Sequence, residues 1–189
     1  MVCINSFEDA VKFYTDADTP FHINSYICKP IKEKKADYRH ELYETVIKFL
    51  DKGLNDIPNE KFLYRGCSSV NFFQHLLKDP NLDGLYEYED IYSAREYLQG
   101  KTYTHPVYCS TTTDIESVAR FLTPPEICCL LIISPNSIPC GKFVGDISVF
   151  NRTTIPEEEF LLNRMLRFQF QKIIKCNIPS LVIHISLLP

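Results

Sequence analysis

The period of the apolar positions changes within the first third of the chain. Ser6-Phe7-Glu8-Asp9 has the form of a capping box and leads into Ala10-Val11-Lys12-Phe13-Tyr14, which predicts a helix. Leu42, Val46, Phe49 and Leu50 recur at helical spacing, and Gly53 stands where a C-terminal cap belongs. Pro20 and Pro30 bound a predicted loop between these two helices. From residue 60 onward the segments shorten and fill with β formers. Lys61 to Arg65 reads as a strand that Arg65 closes, and Ser69 caps a short helix through Leu77. Val107 to Ser110 is a further strand, and Asp114 caps a helix over Ile115 to Leu122. Strand-like runs follow at Cys128 to Ile133, Phe143 to Phe150, Glu158 to Leu162, Leu166 to Lys175 and Leu181 to Leu187. The expectation is an α+β protein with helices over 1–59, then a mainly antiparallel β core over 60–189.

Composition narrows the picture. A chain of 189 residues predicts one domain, and 45% apolar with 23% charged residues excludes a disordered one. Twenty Lys and Arg against 24 Asp and Glu speak against a general nucleic-acid binder. The longest apolar run, Ile127 to Ile133, falls far short of the roughly 20 residues of a membrane helix. The N-terminus lacks the basic start and apolar stretch of a secretory signal. The eight cysteines, at 3, 28, 67, 109, 128, 129, 140 and 176, form no CxxC pair. They read as reduced core thiols, and no metal is expected. A site of action in the cytosol follows, reached either by an intracellular enzyme or by an effector that other machinery delivers. A monomer is favoured.

Several common sites drop out. The six glycines form neither GxGxxG nor a P-loop, and no GxSxG or HExxH occurs. The histidines are scattered, and His184, between Ile183 and Ile185, reads as structural.

Three short segments remain. Tyr64-Arg65-Gly66 sets an arginine beside a glycine that lets a ligand approach the backbone. Ser110-Thr111-Thr112-Thr113 presents hydroxyls in succession before a helix cap. Glu157-Glu158-Glu159-Phe160-Leu161-Leu162 puts Glu157 and Glu159 on one face at the start of a strand. Like carboxylates so close repel each other, a cost usually offset by a cation or a function. Taken singly, the three also fit a surface arginine, a strand-to-helix turn and a solvated acidic loop.

In this order and spacing they resemble the ADP-ribosyltransferases of the arginine–serine–glutamate class, which includes the cholera- and iota-like toxins and the vertebrate ecto-enzymes. The resemblance covers roughly residues 60–175 and implies a two-sheet β core. It implies NAD as co-substrate, cleaved between nicotinamide and ribose, with ADP-ribose passed to an acceptor. Arg65 would hold the phosphates, with Gly66 beside it, and Glu159 would meet the ribose and its developing positive charge. Ser110 would brace Glu159, Thr111 and Thr112 would support that strand, and Phe121 would pack near the nicotinamide. Glu157, two residues before Glu159, implies a protein arginine as acceptor. The departure is Arg152-Thr153-Thr154, where many arginine-specific members carry an aromatic; Phe150 is nearby. Transfer to Ser or Thr, hydrolysis of NAD by water and a non-catalytic NAD-binding module are the other readings.

Overall fold

A computed structural model describes residues 3–16, 18–118, 122, 128–148, 158–177 and 179–189. The chain divides into two compact units. One comprises Met1–Pro58, Pro106–Ser110 and Pro139–Met165; the other comprises Asn59–His105, Thr111–Ile138 and Leu166–Pro189.

The first unit is built on helices α1 (Phe7–Tyr14), α2 (Thr19–Ile27), α3 (Ile31–Ala36) and α4 (His40–Gly53). The cap expected for α1 is present: Ser6 Oγ accepts from the Asp9 amide at 3.1 Å. The expected loop between Pro20 and Pro30 is instead occupied by α2. Pro20 sits in its first turn, where its missing N–H would have no helical partner and its fixed φ suits the helix. Ile23 and Tyr26 are the residues that α2 buries. Val46, Ile47, Leu50 and Tyr43 of α4 pack with Ala10, Val11 and Tyr14 of α1 in one core, which also takes in Tyr108, Val144 and Leu161. Full burial of each aliphatic side chain stabilises by about 1.5–3 kcal/mol. Gly53 is the last helical residue of α4 rather than its cap. A Cβ there would meet the Phe7 ring, so the glycine makes room for α1.

The same unit contains a hairpin of β5 (Gly141–Phe143) and β6 (Glu159–Leu162), in which Gly141 faces Leu162 and Phe143 faces Phe160. The strand expected over 143–150 therefore ends at Phe143. Beyond it the Ile147 amide turns back to the Val144 carbonyl, and residues 149–157 lie outside the described residues. Next to β6 in the strand order is β3 (Cys109–Thr112), whose Cys109 and Ser110 belong to this unit.

The second unit holds β1 (Leu63–Ser68), α5 (Ser69–Leu76), α6 (Arg95–Leu98), β2 (Thr102–His105), the Thr111–Thr112 end of β3, α7 (Ile115–Val118), β4 (Cys128–Ser134), β7 (Leu166–Lys175) and β8 (Leu181–Leu188). Its strands run in the order β2-β7-β8-β4-β1-β3, antiparallel except for the parallel pair β4–β8. β1 is longer than expected: Gly66, Cys67 and Ser68 continue the ladder opposite Leu130, Cys129 and Cys128. Arg65 is thus within the strand and does not close it. The cap of α5 is Ser68, one residue earlier than predicted, accepting from the Asn71 amide at 3.4 Å. Asp114 does cap α7, accepting from the Glu116 and Ser117 amides at 3.0 and 3.1 Å.

Helices followed by mainly antiparallel strands agree with the α+β expectation. Among the described residues no helix is long and apolar enough to cross a membrane. All eight cysteines are free thiols; Cys109, Cys128, Cys129 and Cys140 are buried, whereas Cys3 and Cys28 are exposed and so are not core residues.

Candidate active site

In the second unit, Arg65 lies on β1 opposite Leu131 of β4, and Tyr64 pairs with Thr112 of β3. Alternation along β1 sends Arg65 and Cys67 to the same face. The Arg65 charge is felt there. With the hydrogen bond from the Cys129 thiol as the larger cause, it holds the Cys67 thiol below its ordinary pKa. The two sulfurs are 3.2 Å apart. α5 begins directly after β1, so its positive N-terminal end lies a few residues beyond Arg65. Gly66 is partly exposed within the same strand. Thr111 and Thr112 are buried, 5% and 8% exposed, as residues of an interior strand are.

In the first unit, Ser110 is partly exposed on β3, and Glu159 opens the neighbouring strand β6. Glu159 is 4% exposed, and Phe160, Leu161 and Leu162 are buried with it. An acid buried this far is a chemical commitment, because a desolvated carboxylate needs compensating interactions. The Val144 amide donates to the Glu159 carbonyl at 2.9 Å, which pins the backbone at this position. Gly141 allows the close approach of β5. A Cβ there would stand 2.6 Å from Phe160 Cε1 and nearer still to the Leu161 carbonyl oxygen. Glu157 and Phe121 lie outside the described residues, as do Phe150, Arg152, Thr153 and Thr154. Among the described residues no group of three or more His, Cys, Asp and Glu side chains is placed to hold a metal ion.

Sequence reasoning passed over three residues of the first unit: Asp51, Tyr108 and Arg164. Asp51 is an isolated acid on α4. Tyr108 stands directly before β3, and Arg164 follows β6 by two residues. The available signal was adjacency to Ser110 and to Leu161-Leu162, and adjacency alone does not reveal a partner 113 residues away in sequence.

A family model described as ADP-ribosyltransferase exoenzyme matches residues 5–183. Solved structures of similar shape include Plx2A, an ADP-ribosyltransferase toxin from Paenibacillus larvae (TM-score 0.65, 22% identity, 97% of this chain and 86% of that one). C3stau2 from Staphylococcus aureus, solved with NAD, has a TM-score of 0.65 at 15% identity, covering 96% of this chain and 86% of the other. The ADP-ribosyltransferase Vis from Vibrio splendidus, solved with agmatine, has a TM-score of 0.64 at 17% identity, covering 100% of this chain and 76% of the other. At such identities the likeness to these structures is one of fold. No curated protein matches the chain by sequence.

Proposed function

Because the chain belongs to the ADP-ribosyltransferase exoenzyme family and is therefore a toxin-like, NAD-dependent mono-ADP-ribosyltransferase, we propose that it modifies arginine and that Arg65, Ser110 and Glu159 carry the transfer. The observation that carries this reading is Glu159, a carboxylate 4% exposed on β6, the strand beside the one bearing Ser110. The donor set suits NAD. A guanidinium is planar and permanently charged, which fits a pyrophosphate, and Gly66 beside it removes side-chain bulk. A carboxylate fits the ribose hydroxyls and a sugar that gains positive charge.

Cleavage of NAD at the nicotinamide–ribose bond expels a pyridinium as a neutral base, so no residue has to protonate the leaving group. The demand is to stabilise an oxocarbenium-like ribose, as in glycoside hydrolysis. Glu159 meets that demand electrostatically, and Ser110 orients it by hydrogen bonding. Arg65 anchors the phosphates so that the ribose stays in register. Thr111 and Thr112 stiffen the strand next to β1, and Phe121 packs near the nicotinamide. Glu157 directs the acceptor, since a carboxylate orients a guanidinium by paired hydrogen bonds and takes its proton as the nitrogen attacks. The guanidine compound agmatine in the Vis structure favours the same acceptor chemistry. We further propose a single catalytic domain acting in the cytosol of a host cell on a protein substrate.

The test pairs two activities on one preparation: nicotinamide release from NAD, and label transfer to agmatine and to cell lysate. Glu159→Gln should lose both by about 100-fold or more, in line with removal of a transition-state contact. Glu157→Gln should lose transfer while keeping nicotinamide release within a few-fold. Near-normal release by folded Glu159→Gln would overturn the site. Equal loss of both activities in Glu157→Gln would overturn the arginine acceptor, and unchanged transfer would point to a hydroxyl acceptor.

A further inference from the structure

We propose that Asp51, Tyr108 and Arg164 form a positioning brace that sets the strand bearing Ser110 against the strand bearing Glu159. The proposal rests on the reading that these two residues serve the transfer. One carboxylate on α4 is the hub. Arg164 Nε donates to Asp51 Oδ1 and Oδ2 at 2.9 and 3.2 Å, and its Nη2 donates to Oδ2 at 2.6 Å. The Tyr108 hydroxyl donates to Asp51 Oδ1 at 2.6 Å and lies 3.2 Å from the Ile47 carbonyl. Tyr108 precedes Ser110 by two residues on the run into β3, and Arg164 stands two residues beyond the end of β6. A single side chain therefore ties the beginning of one strand to the end of its neighbour.

Each tie is backed by further contacts. Asn24 Nδ2 donates to the Tyr108 carbonyl at 3.2 Å, and the Tyr108 ring meets Tyr14 edge-on with centroids 5.5 Å apart. On the other side, the Asn163 amide donates to the Cys140 carbonyl at 2.7 Å, and Asn163 Nδ2 to the Leu54 carbonyl at 3.3 Å. The electrostatics agree with the geometry. Burial, then the bond to Asp51, holds the Tyr108 hydroxyl well above its usual pKa, so it stays a donor. The bond to Asp51 likewise keeps Arg164 charged beyond its ordinary range. An exposed ion pair with one bond contributes little, but a guanidinium fork and a phenol converging on one carboxylate fix direction as well as distance. Direction matters here because small displacements of reacting groups carry large penalties in rate.

The expected signature is a split between rate and affinity. Arg164→Lys, Asp51→Asn and Tyr108→Phe are measured in the full chain by nicotinamide release, with thermal unfolding alongside. Arg164→Lys keeps the charge and loses the fork; Tyr108→Phe keeps the ring and loses one arm. The brace predicts that kcat falls about 10- to 100-fold in Arg164→Lys and Asp51→Asn and less in Tyr108→Phe, with the KM for NAD within about threefold. Arg164→Met should fall below Arg164→Lys. Hydrogen exchange at the amides of 109–110 and 159–162 should quicken in step with the loss of kcat. Unchanged kcat in all three folded variants, or a rise in KM as large as the loss in kcat, would overturn the brace while leaving the wild-type reaction standing. Absence of nicotinamide release from the wild type would instead bring down the reaction, and the brace with it.

Discussion

Both units have an apolar core, and they differ in what is added to it. The first joins three pieces of chain that are far apart in sequence: the apolar core of α1 and α4 takes in Tyr108, Val144 and Leu161, and polar side chains with strict geometry, the Asp51 hub, Asn24 and Asn163, add directional joints. The second relies on long ladders, β7 with β8 above all, and on an apolar cluster in which Tyr103 stacks on Phe168 at 5.3 Å and meets Phe170 at the same distance. Phe72 closes that cluster from α5. Hydrophobic burial is non-directional and tolerates small shifts, whereas a forked hydrogen bond does not. The unit that carries Ser110 and Glu159 is also the one in which a forked side-chain bond joins distant pieces of chain.

The sharpest way to break the contrast is to strip the apolar cluster. Phe170→Ala should destabilise by about 3–5 kcal/mol, read as a lowered denaturant midpoint. A loss below 1 kcal/mol would mean that the cluster does not hold its unit. Gly141→Ala attacks the first unit where β5 crosses β6. With the Leu161 carbonyl and the Phe160 ring in the way, it should lose about 1–3 kcal/mol, and nicotinamide release should drop with it because Glu159 is on the displaced strand. Near-normal thermal stability in this variant would show that β5 and β6 leave room for a methyl group at this position.

Acid should distinguish the units as well. Burial, then His75 and Arg65, pushes His105 down to about 3, and its ring lies 5.2 Å from that of His75. A folded pKa below the unfolded value of about 6.5 means that the folded state binds fewer protons. The resulting stability is complete above pH 6.5 and is lost as pH falls toward 3. The slope is at most about 1.4 kcal/mol per pH unit, and partial exposure of His105 reduces it. Thermal unfolding from pH 7 to 4 should therefore flatten by about 1 kcal/mol in His105→Phe relative to wild type. Parallel curves would exclude His105 as a contributor. The smallest effect belongs to the exposed Lys12–Glu8 pair of α1, 2.8 Å apart: Glu8→Gln should change stability by no more than about 0.5 kcal/mol. A larger loss would move part of the first unit's cohesion to its surface.

What was legible in the sequence follows from the range of each interaction. The cap of α1 and the apolar stripe of α4 are written in residues three or four apart, so they could be read without a fold. The three segments around Arg65, Ser110 and Glu159 stood out through their order and spacing along the chain, which are legible without a fold. The run of α2 did not, since a proline in a first turn looks the same as a proline in a loop. Nor did the true length of β1, because Gly66 and Ser68 are poor strand formers that gain their partners only when β4 lies alongside.

The residues alone were enough to read helices ahead of a mainly antiparallel β region, the family and the residues to suspect. It took the folded chain to bury Glu159 beside the strand of Ser110, to leave no room for a side chain at Gly141, and to bring Asp51 to partners 57 and 113 residues away. The reason is physical. Local periodicity and caps are set by neighbours on one turn or one pleat. A long-range hydrogen bond has no local signature, because its partner is chosen by the packing that closes the loop between them.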